Sequence, residues 1–222
     1  MGLTLFIATL VLTLGVQMWL RNTYGRWERV ANASGLTGAD TARAILRANG
    51  LHDVKVEPVP GQLSDHYDPR TKTVRLSEAH FRVPSVAGAA VAAHEVGHAL
   101  QHANAYAPLQ LRSTLVPVAQ IGQNLGPWIV IGGFLLGIAG LVEVGIVLFA
   151  AAVLFQLVTL PVEFDASKRA VAEMQRLGLA TTADVGGSRQ VLNAAAMTYV
   201  AAAAASVAYL MHYVLLFMGS RE

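Results

Sequence analysis

His94, Glu95 and His98 are the residues of this chain whose types and spacing best suit chemistry. They lie in the run Val91-Ala92-Ala93-His94-Glu95-Val96-Gly97-His98-Ala99-Leu100-Gln101-His102, which holds the pattern H-E-x-x-H inside apolar, alanine-rich sequence. On a helix, residues four apart project from one face. The two imidazoles can therefore reach a single Zn²⁺ at about 2.0–2.1 Å. Glu95 projects beside them and can take a proton from a water held there. Gly97 lowers helix propensity but leaves room near the ion for a substrate or another backbone. The plainer alternative is a helix with two histidines and an ordinary acid. The lead-in Pro84–Ala93 weighs against it, because a proline near the first helical position and then small residues favour a helix. A helix over about 84–104 carries the pattern in its middle. His80 and His102 read as surface or packing residues; His102 is two turns from His94, too far for the same ion.

A catalytic zinc usually takes three protein ligands and a water. The extended pattern H-E-x-x-H-x-x-G-x-x-H is excluded, since Gln101 and Asn104 stand where its glycine and third histidine would be. The chain has no cysteine, which removes disulfides, a cysteine ligand and a cysteine nucleophile. A later carboxylate remains. The segment Pro161-Val162-Glu163-Phe164-Asp165-Ala166-Ser167-Lys168-Arg169 comes after a long apolar run and offers Glu163 and then Asp165. An acid at a membrane edge is costly unless solvated, paired or metal-bound. An ion pair with Lys168 or Arg169 would also satisfy Glu163, and spacing leaves both acids open.

The elements that must position these residues are set by an apolar composition. Of 222 residues, 54% are hydrophobic and 14% charged, and the mean hydropathy is +0.47. That is a membrane protein's balance, and its net charge of +2 gives no argument for a nucleic-acid partner. The pattern predicts a mainly α membrane protein with transmembrane helices at 2–20, 115–141, 145–162 and 192–218. The first reads as an uncleaved span: no Lys or Arg precedes it and no small-x-small site ends it. The second and third form a hairpin with Val142-Glu143-Val144 at its tip. Gly122/Gly126 and Gly133/Gly137 are small-xxx-small pairs that permit close helix packing. Residues 21–112 hold eleven Lys and Arg, residues 163–189 hold four, the hairpin tip none and the C-terminal tail only Arg221. The positive-inside rule then places both basic segments in the cytoplasm and both termini outside. His94 and Glu163 fall on the same side, as a shared metal requires.

Within 21–112, residues 32–50 read as an amphipathic helix capped by Thr37 or Ser34 and stopped at Gly50. Residues 54–59 alternate as a strand, and 63–77 read as a β-hairpin around Asp68-Pro69. Residues 78–82 lead into the zinc helix. The expected cytoplasmic domain is thus zincin-like α+β: an active-site helix with a small hairpin or sheet. A strand beside that helix can pair with an extended peptide. Asp65, His66 and Asp68 are substrate-binding candidates, turn chemistry being the plain alternative.

Four segments together resemble the YugP-type neutral zinc metallopeptidases of bacterial membranes: His94-Glu95-Val96-Gly97-His98-Ala99-Leu100-Gln101, Leu63-Ser64-Asp65-His66-Tyr67-Asp68-Pro69, Leu160-Pro161-Val162-Glu163-Phe164-Asp165-Ala166-Ser167, and Leu192-Asn193-Ala194-Ala195-Ala196-Met197-Thr198-Tyr199-Val200-Ala201-Ala202. The resemblance implies a four-span protease of gluzincin type in the bacterial inner membrane. It extends distantly to HtpX-type and prenyl-protein (CAAX) proteases, whose third ligand is the Glu of an E-[FY]-x-A-D motif. That likeness favours Glu163 over Asp165. The departure is Ser167 at the motif's last acid, so no carboxylate from that position orients a ligand histidine.

The expected activity is zinc-dependent endopeptidase action at the cytoplasmic face, with one zinc ion on His94, His98 and Glu163 and with Glu95 as general base. Tyr199, Asn193, Arg169 and His66 are candidates for stabilising the oxyanion, and Asp165 for a supporting role. The expected partners are peptide or protein substrates, unfolded membrane proteins in quality control among them, and the lipid bilayer. Two alternatives remain: a non-catalytic zinc-binding scaffold or adaptor, which an intact Glu95 argues against, and a processing peptidase for lipid-modified peptides. Four spans are few to enclose a chamber for the latter, which would call for a homo-oligomer.

Overall fold

The structure, a computed structural model, describes residues 2–220. Met1, Arg221 and Glu222 lie outside the described residues, and with them the outermost ends that the charge pattern assigns outside the membrane. The chain is mainly helical with a small three-stranded sheet. It divides into two compact units: one of the chain up to Val16, Ala107–Pro161 and the chain from Thr198 on, the other of Gln17–Tyr106 and Val162–Met197.

The second unit holds the mixed-composition sequence. Helix α1 (Gly2–Glu28) contributes its last turns. Helix α2 (Gly38–Ala48) starts at Thr37, not Ser34. The reason is a capping box: Thr37 Oγ1 accepts from Asp40 N at 3.1 Å while Asp40 Oδ2 accepts from Thr37 N at 3.2 Å. Past its end, Gly50 takes φ +71°, a left-handed conformation open to glycine. Strands β1 (Lys55–Val59), β2 (His66–Asp68) and β3 (Thr73–Ser77) come next. β2 and β3 form the expected antiparallel pair, and Asp68 closes their turn by accepting from Arg70 N and Thr71 Oγ1, each at 2.9 Å. β1 adds to the far side of β3 in parallel, giving the order β1-β3-β2.

After β3 come the short α3 (Glu78–Arg82) and α4 (Val86–Ala103), whose N-cap Ser85 accepts from Gly88 N at 3.0 Å. One core joins these elements: Ile45 and Leu46 of α2, Val74 and Leu76 of β3, and Ala90, Val96 and Ala99 of α4 pack with Ala170, Met174 and Leu192 from later in the chain. Alanine and glycine let the backbones approach closely. A Cβ on Gly38 would lie 2.5 Å from the His80 carbonyl oxygen and 2.8 Å from that of Gly88.

His80 is not a surface residue. It is fully buried, with Nδ1 2.9 Å from Asp65 Oδ2 and Nε2 2.6 Å from the Tyr24 hydroxyl. Asp65 also accepts from Ser77 N at 2.8 Å. Its carboxylate thereby ties the β2 approach to the start of α3 and to α1. A buried charge must be paired to be tolerated, and Asp65 is.

In the first unit, helix α5 (Ala107–Leu136) and the opening part of helix α6 (Ala139–Arg176) lie antiparallel. Gly122 abuts Leu148, Gly126 abuts Phe149, and Gly145 abuts Val130. The turn falls at Gly137-Ile138, not at Val142-Glu143-Val144. Gly137 holds φ +68°, and Ile138 N bonds the Gly133 carbonyl at 2.9 Å. Glu143 instead sits in the first turns of α6. Helix α7 (Thr182–Gly219) joins through Phe149–Tyr213 rings 5.7 Å apart and a Tyr209–Thr9 hydroxyl contact of 3.1 Å. Many large apolar side chains, among them Leu3, Val11, Trp128, Leu135 and Val147, are exposed on these helices. Among the described residues, α1, α6 and α7 are long and apolar enough to cross a membrane.

An equally close helix contact in the second unit joins α4 and α6. A Cβ on Gly97 would lie 2.5 Å from the Ala166 carbonyl oxygen and 3.1 Å from its Cα. The room that Gly97 leaves is thus taken by another backbone. Gly97→Ala is expected to push these helices apart and cost about 1–3 kcal/mol. A lowered midpoint in thermal unfolding of the detergent-purified protein checks this; an unchanged midpoint contradicts it.

Candidate metal centre

The α4–α6 contact sets the register of the site. His94, Gly97, His98 and Gln101 succeed one another at helical spacing along one face of α4. Glu163, Ala166 and Ser167 do the same on α6. With Ala166 seated on Gly97, Glu163 lies one turn to one side and its carboxylate enters between the imidazoles. Glu163 Oε2 is 3.3 Å from His94 Nε2 and 3.6 Å from His98 Nε2. The rings stand nearly perpendicular, at 84°, with centroids 4.8 Å apart.

These distances suit a metal. Ligand atoms placed tetrahedrally at about 2.0–2.1 Å from zinc are separated by about 3.3–3.5 Å. One atom from each of His94, His98 and Glu163 lies within 4.8 Å of the others, forming a group able to hold an ion. Two imidazole nitrogens and a carboxylate oxygen make a donor set that zinc accepts. The Glu163 side chain is 3% exposed, while His94 at 14% is the most open of the three.

Burial of the His98 ring opposes its protonation. The Glu163 carboxylate bonded to it and the Glu95 charge nearby outweigh that and raise its pKa above the ordinary histidine value. Glu95 is itself buried, at 8% exposure. Among the described residues no hydrogen bond or ion pair engages its carboxylate.

The outer nitrogens of the rings have partners too. His94 Nδ1 is 3.1 Å from Ser167 Oγ, so the residue that departs from the E-[FY]-x-A-D motif still touches the histidine, as a hydroxyl. His98 Nδ1 is 3.0 Å from Gln101 Oε1. Asp165 does not join the three donors. It accepts from Gln101 Nε2 at 2.9 Å and from Arg169 Nε at 2.5 Å. Arg169 also lies over the Tyr106 ring, 5.6 Å from its centroid.

His66 is exposed on β2 with Nδ1 2.8 Å from the Ser64 carbonyl. Asn193 is exposed and lines a cavity of about 540 Å³ with Trp19, Asn22, Thr23, Arg26 and Gln190. Tyr199 belongs to the first unit. His102 bonds the Tyr67 hydroxyl at 2.9 Å and so fastens β2 to α4. Sequence reasoning passed over Gln101 and Ser167 as supporting residues. Each was within reach of a simple rule, three residues past His98 and four past Glu163 on faces already assigned.

The family described as "Putative neutral zinc metallopeptidase" matches residues 2–218, and the chain belongs to that family. It is 46% identical over 222 residues to a protein of Bacillus subtilis (strain 168) named "Putative membrane protease YugP", a match covering 98% of this chain and 99% of that protein. No solved structure matches.

Removing the carboxylate separates the two acids of α6. Glu163→Gln is expected to lower zinc affinity by more than the roughly 10–100-fold carried by residues that only orient ligands. Asp165→Asn is expected to retain close to one zinc per chain after dialysis, read by elemental analysis. The reverse result would assign the ligand to Asp165.

Proposed function

We propose that this protein is a zinc-dependent endopeptidase of a bacterial inner membrane, acting on peptide segments at the cytoplasmic face. The observation that carries the reading is the meeting of His94, His98 and Glu163, with Glu163 Oε2 3.3 and 3.6 Å from the two imidazole Nε2 atoms, near the edge length of a zinc tetrahedron, and with Glu95 next to the first ligand. When bound, zinc would polarise a scissile carbonyl and lower the pKa of water toward about 7. Glu95 accepts the proton of the attacking water and hands it to the departing amine. Burial of Glu95 and the absence of a competing salt bridge among the described residues suit that exchange. His94, His98 and Glu163 supply one negative charge and two neutral donors, leaving part of the ion's charge for the substrate.

A four-span arrangement is part of this reading. It is supported by α5 lying antiparallel along α6 through glycine contacts, so that a bilayer crossed by α6 is also lined by α5. The basic residues of 21–112 and 163–189 favour the cytoplasm for the site. Protein substrates of the membrane itself, cut during quality control, fit a site whose third ligand lies three residues past an apolar run.

Glu95→Gln is expected to keep zinc and lose cleavage of an unfolded substrate such as casein by about 10²–10⁴-fold. A variant that cuts as fast as the parent would remove Glu95 from the reaction. A parent that binds zinc but never cuts would favour a scaffold. Topology is open to a clean test because the chain has no cysteine. A thiol reagent that cannot cross membranes is expected to label Gly140→Cys in intact cells and Arg70→Cys only after lysis; the opposite pattern inverts the protein.

A further inference from the structure

We propose that Gln101 is a positioning residue that dictates which nitrogen of His98 faces the metal. This rests on the reading of His94, His98 and Glu163 as a zinc centre. A glutamine amide has one end that only donates and one that only accepts. Gln101 is fully buried at the α4–α6 contact, so both ends must find partners. One end lies 2.8 Å from the Val162 carbonyl oxygen and 2.9 Å from Asp165 Oδ2. Neither can donate: the first is a backbone carbonyl, and the second is a carboxylate paired with the Arg169 guanidinium at 2.5 Å. That end of Gln101 is therefore the NH₂ group. Turning the amide over would set its oxygen against two other oxygens at under 3 Å.

The consequence passes to the ring. The Gln101 oxygen faces His98 Nδ1 at 3.0 Å, and an oxygen there requires an N–H opposite it. With Nδ1 holding a hydrogen, Nε2 is the nitrogen left to offer its lone pair to an ion beside Glu163, whose Oε2 lies 3.6 Å away. The orientation is anchored outside the site, through Asp165 and Arg169 to the Tyr106 ring. His94 is held differently. The Ser167 hydroxyl can donate or accept by rotating, so it supports that ring without dictating its tautomer. Gln101 thus does for His98 what a carboxylate does behind many zinc-bound histidines, and it does so without adding charge.

Two measurements on the full-length protein in detergent test this. In the zinc-loaded parent labelled with ¹⁵N-histidine, the His98 signals, identified by their loss in His98→Gln, are expected to show a protonated Nδ1 and a metal-bearing Nε2. The second is zinc affinity, read by competition with a fluorescent chelator in the parent and in Gln101→Met, which keeps side-chain length but removes the amide. Gln101→Met is expected to bind about 10–100-fold more weakly and to shift the visible absorption bands of the cobalt-substituted protein. A role in packing alone would lower the unfolding midpoint and leave those bands in place. Zinc on Nδ1 of His98 overturns the proposal, as does a Gln101→Met variant that binds zinc within about twofold of the parent. Should Gln101→Met fail to fold, the nitrogen signals of the parent decide. A parent without zinc affinity would instead overturn the metal-centre reading on which the proposal rests.

Discussion

The structure depends on one steric fact: Gly97 has no side chain, and the backbone of Ala166 occupies the space. Two residues more than sixty positions apart in the chain, on α4 and α6, are brought to backbone contact there, and everything polar around the site is indexed from that point. One turn from the contact a carboxylate meets two imidazoles. Beside it a glutamine meets a backbone carbonyl and an aspartate. Alanines at 90, 93, 99 and 170 are buried in the core around it. Bulkier residues would separate the helix axes and open the ligand distances with them.

Burial raises the stakes of each polar contact. A carboxylate that is 3% exposed is tolerated only with strong partners, and Glu163 has two imidazoles. Asp65 poses the same problem on the far side of α4 and solves it with His80 and the Ser77 amide. The two arrangements differ in what they leave over. The Asp65 cluster is closed among protein groups and fixes where the strands meet α1 and α3. The Glu163 group converges on a point that an ion can fill.

Much of this could be read from the residues, and the limits have physical reasons. His94, Glu95 and His98 were legible because the helical repeat alone puts the two ligands on one face. The helix α2 and its Thr37 cap were legible because Asp40 completes a local motif. The choice between Glu163 and Asp165 was not, since it rests on which face of α6 meets Gly97, a long-range contact with no local sign. The family likeness, not spacing, favoured Glu163. The position of β1 was equally hidden: a hairpin is local, but a parallel partner is set by the crossover between strands. The helix turn was misplaced because the charge of Glu143 stood out in apolar sequence, whereas the chain reverses at Gly137, which alone there takes a positive φ. For His80 the sequence leaves surface and packing roles both open, because the partners that bury it, Asp65 and Tyr24, are distant in sequence.

The indexing of α4 against α6 also bears on how such a chain can change over time. Each residue added to a helix rotates every later side chain by about 100° around the axis. A single insertion between Glu163 and Ser167 would leave Ala166 seated on Gly97 only by turning either the carboxylate or the hydroxyl away from its histidine. Substitutions can be absorbed one at a time here, but length cannot. The segment from His94 to Gln101 and the segment from Val162 to Arg169 should therefore keep their lengths among descendants of this chain, while the loops around β1 and β2 are free to grow and shrink.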